Sequence, residues 1–206
     1  PRIPPVLDPL DIQEQAIKPG DLFKEARVQG GYIEEQRADK VIFEKIIFEN
    51  VVFQDVSFTH SELIDVSFIN CDLSNVDLSG AIIHRVAFQG CKMLGSRLMD
   101  ATLRNVNFNN CNLSYANFAF SNVKQGIFKK SILSKTAFEN VALLNVGFEE
   151  NDMTSVQMSG TKLKGIDLTT CQIEGMEIDL EDLRGAVVST TQVVGFANLL
   201  GLVIGY

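Results

Sequence analysis

The 206-residue chain carries little from which an active site could be built. It has two histidines, His60 and His84, with no serine or cysteine nucleophile pattern near either. No glycine-rich phosphate loop and no metal-ligand spacing is present, and nothing titratable converges in the manner of a catalytic constellation. The four cysteines form no CxxC or Cys/His cluster, so they read as free thiols in a reducing compartment. No apolar run approaches a membrane span and no stretch reads as a signal peptide. The sequence opens at Pro1, which leaves room for an initial segment ahead of it. Bases are the scarcer charge: 18 Lys and Arg against 26 Asp and Glu give a net charge of −8 and a pI near 4.8. That balance argues against plain phosphate-backbone binding, which needs a basic surface. It suits basic partners, including proteins that normally hold DNA. The reading is of a cytoplasmic, non-enzymatic protein with no cofactor and no membrane contact.

What is present is a repeat of unusual period. FEKIIFENVVFQDVSF places phenylalanine at 43, 48, 53 and 58. Helices repeat near 3.6 residues and strands at 2, so neither produces a period of five. From residue 43 to residue 183 every fifth position is Phe, Leu, Ile, Val or Met, 29 in a row without an insertion. Two residues earlier stands a small or medium side chain, such as Val41, Cys71, Ala101 or Ser131. Two residues later stands a turn former; from 50 to 175, 16 of 26 such positions are Asn, Asp or Gly, types that tolerate left-handed backbone. Each pentad therefore reads as small-in, polar-out, large-in, polar-out, turn.

Four pentads make one coil. Phe48, Phe68, Phe88, Phe108, Phe128 and Phe148 are spaced by twenty and form one core column. Cys71, Cys91, Cys111 and Cys171 share another column, two residues before a large position. Asn151 fills the same column and reads as a core amide bonded to backbone. Stacked cysteines would lie near disulfide Cα separation, which leaves a Cys71–Cys91 bridge open beside the free-thiol reading. The Phe column reads as packing, not as a ligand channel.

Pentads such as CDLSN (71–75) and CNLSY (111–115) resemble those of the pentapeptide repeat proteins. The resemblance implies an all-β solenoid, a right-handed quadrilateral β-helix. About seven coils at a ladder spacing of ~4.8 Å would make a rod of ~34 Å. Residues 1–40 read as an N-terminal capping segment, with DIQEQAI and DLFKEAR as short helical turns. Residues 41–185 are the β-helix, and 186–206 a C-terminal capping and dimerisation segment. There, Ser189, Thr190 or Thr191 could N-cap a short helix, with Val193, Phe196, Ala197 and Leu200 on one face, followed by LVIGY as a short strand. LRGAVV…Q…ANLLGLVI is similar to the ending of the quinolone-resistance (Qnr-type) group. That similarity implies a homodimer joined end to end, through a surface including Val193, Phe196, Ala197, Leu200 and Leu202.

Function must then lie in surface charge. Residues 41–80 are net −6, residues 81–135 net +7, and residues 136–183 net −8. DNA carries one charge per ~1.7 Å, so as a uniform mimic the rod falls short about threefold, but over the ~12 Å of its last coils it matches. The candidate partner-binding surface is Glu139, Glu149, Glu150, Asp152, Asp167, Glu174, Glu177 and Asp179. A basic face holds Arg85, Arg104, Lys124, Lys162 and Lys164, open either to the acidic N-terminal residues Glu34, Glu35 and Asp39 or to an anionic partner. Tyr115 and Phe120 replace turn formers mid-rod, and are either covered by the N-terminal segment or form a contact patch. The Qnr-type resemblance implies binding to DNA gyrase or topoisomerase IV and protection against fluoroquinolones. The chain lacks the loops that interrupt the coils in many of that group. The alternative is a scaffold protein for another partner. Direct nucleic-acid binding is not expected.

Overall fold

The computed structural model describes residues 1–12 and 16–203. It is a right-handed quadrilateral β-helix of about seven turns, closed by one short C-terminal helix. All strand pairs are parallel, and from Leu22 onward they keep a constant twenty-residue register: Ile42 pairs with Glu62, Glu62 with Ile82, Ile82 with Thr102, and Thr102 with Asn122; ahead of them Asp8–Pro9 pairs with Ala26 and Arg27, eighteen residues on. Four pentads per turn thus become four walls. Wall 1 contains residues 41–45 and their twenty-residue successors, wall 2 residues 46–50, wall 3 residues 51–55 and wall 4 residues 56–60.

The corners explain the period. Every fifth residue from 25 to 165 has a positive φ. Each wall is three alternating residues, and one left-handed residue then turns the chain into the next wall. Asn and Gly adopt this conformation readily, but Lys130, Gln125, Tyr115 and Phe120 occupy it too, at a cost of roughly 1–2 kcal/mol each. Stacking adds a second constraint. A Cβ on Gly90 would come within 2.5 Å of the Asn70 amide oxygen one coil away, so an asparagine corner is accommodated by a glycine above it.

The tube is filled by its own side chains. Rings of the wall-2 column stack face to face, with Phe88, Phe108 and Phe128 at centroid separations of 4.8 and 4.7 Å and nearly parallel. Beside it runs a column of polar donors on wall 3. The thiols of Cys71, Cys91 and Cys111, the Ser131 hydroxyl, the Asn151 amide and the Cys171 thiol each donate to the carbonyl of the wall-2 phenylalanine 23 residues earlier. Asn151 is a core amide as expected, and its Oδ1 also accepts from the Ser131 N–H at 2.9 Å. All four cysteines are buried free thiols, and burial pushes the Cys171 thiol up, away from the reactive thiolate form.

The register begins earlier than the sequence pattern does. DLFKEAR is not a helical turn: strand Leu22–Gln29 pairs with Ile42–Glu49, and Tyr32–Glu34 pairs with Val52–Gln54. Val28, Ile33 and Ala38 are buried at the large positions of this coil. Small Ala38 and polar Gln36, whose amide bonds Ile17 N and Glu34 O, mask the pattern in the sequence. Part of the turn expected over 11–17 falls on residues 13–15, outside the described residues.

Candidate protein-binding surfaces

Walls of a stacked coil bring residue i beside i+20, so charge spacing decides pairing. Among the described residues, eight of ten ion pairs join residues twenty apart, including Lys24–Glu44, Arg85–Asp65, Lys92–Asp72, Arg97–Asp77, Lys129–Glu149 and Lys130–Glu150. The consequence is unequal ends. In 41–80, five of seven carboxylates (Glu44, Glu49, Asp65, Asp72, Asp77) are ion-paired. In 136–183, only Glu149, Glu150 and Asp182 of ten are. Two members of the candidate acidic surface, Glu149 and Glu150, therefore meet lysines of the basic middle.

The remaining acids cover three walls. Asp167 lies on wall 2, Asp152 and Glu174 on wall 3, and Glu139, Glu177 and Asp179 on wall 4. Thr169 N–H and hydroxyl donate to Asp167 Oδ1 at 2.8 and 2.6 Å and hold its carboxyl below the usual range. Asp152 accepts from Thr154 N at 3.0 Å, so both carboxylates are oriented by local bonds. Sequence reasoning left out two acids at the end of this zone. Glu181 is exposed, and Asp182 is buried, accepting from Lys162 Nζ at 2.6 Å and Gly160 N at 2.7 Å.

The basic face, wall 1, divides in the same way. Arg85 and Lys162 are committed to Asp65 and Asp182, whereas Arg104, Lys124 and Lys164 are exposed and form no ion pair among the described residues. Glu34, Glu35 and Asp39 sit on walls 3 and 4 of the first coil and do not reach it. What does approach is the basic start of the chain: Arg2 N donates to Asp65 Oδ1 at 2.7 Å. Burial, then the Arg85 charge, lowers the His84 pKa, so this ring is neutral at pH 7.

Asp65 makes the fold acid-sensitive. The Arg85 guanidinium, 2.7 and 2.5 Å from its two oxygens, holds its carboxyl below the ordinary range, against burial and with help from Arg2 N–H. The folded pKa is depressed below an unfolded value of about 3.9, so the stabilisation is present above that value and is lost as pH falls through the folded one. Below pH ~4 the urea midpoint should fall, and Asp65→Asn should flatten that fall while lowering the midpoint at pH 7.

Tyr115 and Phe120 are not covered by the N-terminal segment; they are 58% and 55% exposed. They stand on opposite corners of wall 4 in one coil, with Lys135 Nζ 3.2 Å from the Tyr115 hydroxyl and 5.3 Å from its ring.

At the C-terminus, Ser189 is the N-cap of helix α1 (Thr190–Gly195), in a capping box with Gln192. Gln192 Nε2 also donates to the carbonyls of Leu168 and Cys171, which fastens the helix to the last coil. The expected single apolar face is divided, because the helix ends at Gly195 and a 3₁₀ turn runs Ala197–Leu200. Ala197 is buried and Phe196 half-buried on the coil, while Val193 and Val194 are each 55% exposed and Leu202 is exposed. The Leu200 side chain lies outside what the structure describes, as do residues 204–206 of the expected strand; Leu202 and Val203 are not in one. Among the described residues there is no group of three or more His, Cys, Asp or Glu placed to hold a metal ion, and no helix long and apolar enough to cross a membrane.

A family model described as a pentapeptide repeat region matches residues 61–131 and 101–178. No curated protein sequence matches the chain. Among solved structures, a trypsin-treated variant of QnrB1, a plasmid-mediated fluoroquinolone resistance protein, is 20% identical, with 96% of this chain and 95% of that chain covered and a TM-score of 0.48. HetL, a pentapeptide repeat protein involved in heterocyst differentiation regulation from the cyanobacterium Nostoc sp. strain PCC 7120, is 13% identical over 82% of this chain and 87% of that one, with a TM-score of 0.36.

Proposed function

The chain belongs to the pentapeptide repeat family, and from that premise we propose a non-enzymatic binding protein whose C-terminal acidic coils occupy a DNA-binding surface on a type II topoisomerase. One observation carries this reading. Seven of the ten carboxylates in 136–183 (Glu139, Asp152, Asp167, Glu174, Glu177, Asp179, Glu181) are free of ion pairs among the described residues. They occupy a length of ~12 Å, over which DNA carries about 7 charges. The N-terminal acids are largely neutralised by neighbouring coils, so the mimicry belongs to one end of the rod. DNA gyrase or topoisomerase IV is the partner, and protection against fluoroquinolones the outcome.

The exposed Val193, Val194, Leu199, Leu202 and Val203 support end-to-end dimerisation, which would place two acidic zones back to back. Light scattering that finds only monomer at ~100 μM, well above a typical dimer Kd, would remove that doubled centre. The functional test is purified gyrase inhibited by ciprofloxacin. The protein is expected to bind gyrase and restore supercoiling. Asp152→Asn with Glu177→Gln should weaken binding about fivefold or more, and Asp72→Asn, at the paired end, should have little effect. Absence of both binding and rescue would sink the reading.

A further inference from the structure

Elsewhere on the rod, charges one coil apart are mostly opposite and bonded. The outward column of wall 1 reverses this rule. It runs His84, Arg104, Lys124, Leu144, with direct strand partners His84↔Arg104, Arg104↔Lys124 and Lys124↔Leu144, and continues at the same step with Lys164 and Arg184. Arg104 and Lys124 are register partners of the same sign. They are exposed and without ion pairs, and they repel one another across one coil step of ~4.8 Å. The parallel column beside them, Thr102, Asn122 and Ala142, is uncharged. No carboxylate belongs to wall 1 between residues 81 and 165. Of the acids at its two ends, Asp65 and Asp182 are buried and already hold Arg85 and Lys162, whereas Glu62 and the exposed Glu181 lie outside the stretch 81–165. Apolar side chains interrupt the cations. Ile82 is 49% and Leu144 52% exposed, and Ile82, Ile83, His84, Thr102 and Arg104 line a shallow depression of about 250 Å³.

We infer that wall 1 is a docking surface for an extended acidic segment of a partner protein, lying along the rod with its carboxylates on Arg104, Lys124 and Lys164. Charge complementarity selects the class. The three cations span three coil steps, ~14 Å, and the same-side side chains of an extended peptide repeat every ~6.8 Å. A segment of about six residues therefore supplies three carboxylates to this span. A polynucleotide fits less well. Continued in one direction it meets Glu62 and Glu44 on the same wall, and around the rod it meets the unpaired acids of a chain with net charge −8. The cations of this surface are no part of the acidic zone, whose one unpaired wall-1 acid, Glu181, lies beyond Lys164, so this inference and the topoisomerase reading stand or fall separately.

The test is fluorescence anisotropy of the full chain with a fluorescein-labelled decapeptide of alternating glutamate and leucine, beside a labelled single-stranded oligonucleotide of similar charge. The peptide is expected to bind in low salt and to weaken as NaCl is raised from ~50 to ~200 mM. Arg104→Glu with Lys124→Glu should weaken it about tenfold or more. Lys129→Gln with Lys130→Gln, which alters paired cations on wall 2, should leave it within about twofold. Far-UV circular dichroism checks that the β-helix is intact in both variants. Equal peptide binding by the double charge reversal, no peptide binding in low salt, or tighter binding of the oligonucleotide would each overturn the assignment.

Discussion

Phe108→Ala should remove about 3–5 kcal/mol of stability, the range for emptying a fully buried aromatic site. The Phe108 ring has no exposure. It lies 4.8 Å from Phe88, 4.7 Å from Phe128 and edge-on to Phe118 at 6.0 Å. The cavity cannot close by local collapse, because the backbone above and below is fixed at ladder spacing by bonds such as Asn107 N to Val86 O. Phe108→Leu should lose less than half as much, since leucine fills the same tube position on other walls, as at Leu103 and Leu113. At the rod's start, Phe23 is only partly buried and stacks on one neighbour, Phe43, at 5.3 Å. Phe23→Ala should therefore lose about 1 kcal/mol. Urea unfolding of the three variants checks the series, and a Phe108→Ala loss no larger than that of Phe23→Ala would mean the column is not tightly packed.

Asn151→Ala should remove about 2–4 kcal/mol, through hydrogen bonding in place of volume. The side chain accepts from Ser131 N–H and donates to the Phe128 carbonyl at 2.8 Å, deep in the tube. Alanine leaves both groups without their side-chain partner and out of reach of water. Asn151→Cys keeps a donor toward the Phe128 carbonyl, as Cys71, Cys91 and Cys111 do toward theirs. Its loss should be roughly half that of alanine. Thermal unfolding decides it: at ~2–4 °C per kcal/mol, alanine should lower Tm by about 5–12 °C. Equal losses for alanine and cysteine would assign the effect to size alone.

The fold was legible because one rule repeats without interruption. A large residue every fifth position and a corner two residues later state the wall length and the turn, and stacked Phe and Cys state four walls. Legibility failed where packing, not periodicity, carries the structure. Ala38 and Gln36 hide the first coil, and only the strand pairing of Leu22–Gln29 and Tyr32–Glu34 shows it. The candidate surfaces were half legible. Net charge by zone located the acidic and basic segments, but pairing depends on which wall and row each residue occupies. Glu149 and Glu150 stand above Lys129 and Lys130, whereas Glu174 and Asp179 stand above Thr154 and Ser159. The twenty-residue offset was available in the sequence, and applying it charge by charge would have separated the two groups. Asp182 was beyond reach, since its role depends on burial beneath Lys162.

The constant register also governs how the rod would yield to force. Among the described residues, strand pairing from Leu22 onward joins each coil to the coil before and the coil after it. Pulled from its ends, such a chain peels from an end one turn at a time, with no global fracture. Every released turn of twenty residues, which advanced the rod by only ~4.8 Å, lengthens to about 68 Å of slack. A partner gripping the acidic end would be tethered to a ratchet of nearly equal, successive extensions, and the rod would act as a mechanical fuse as well as a spacer.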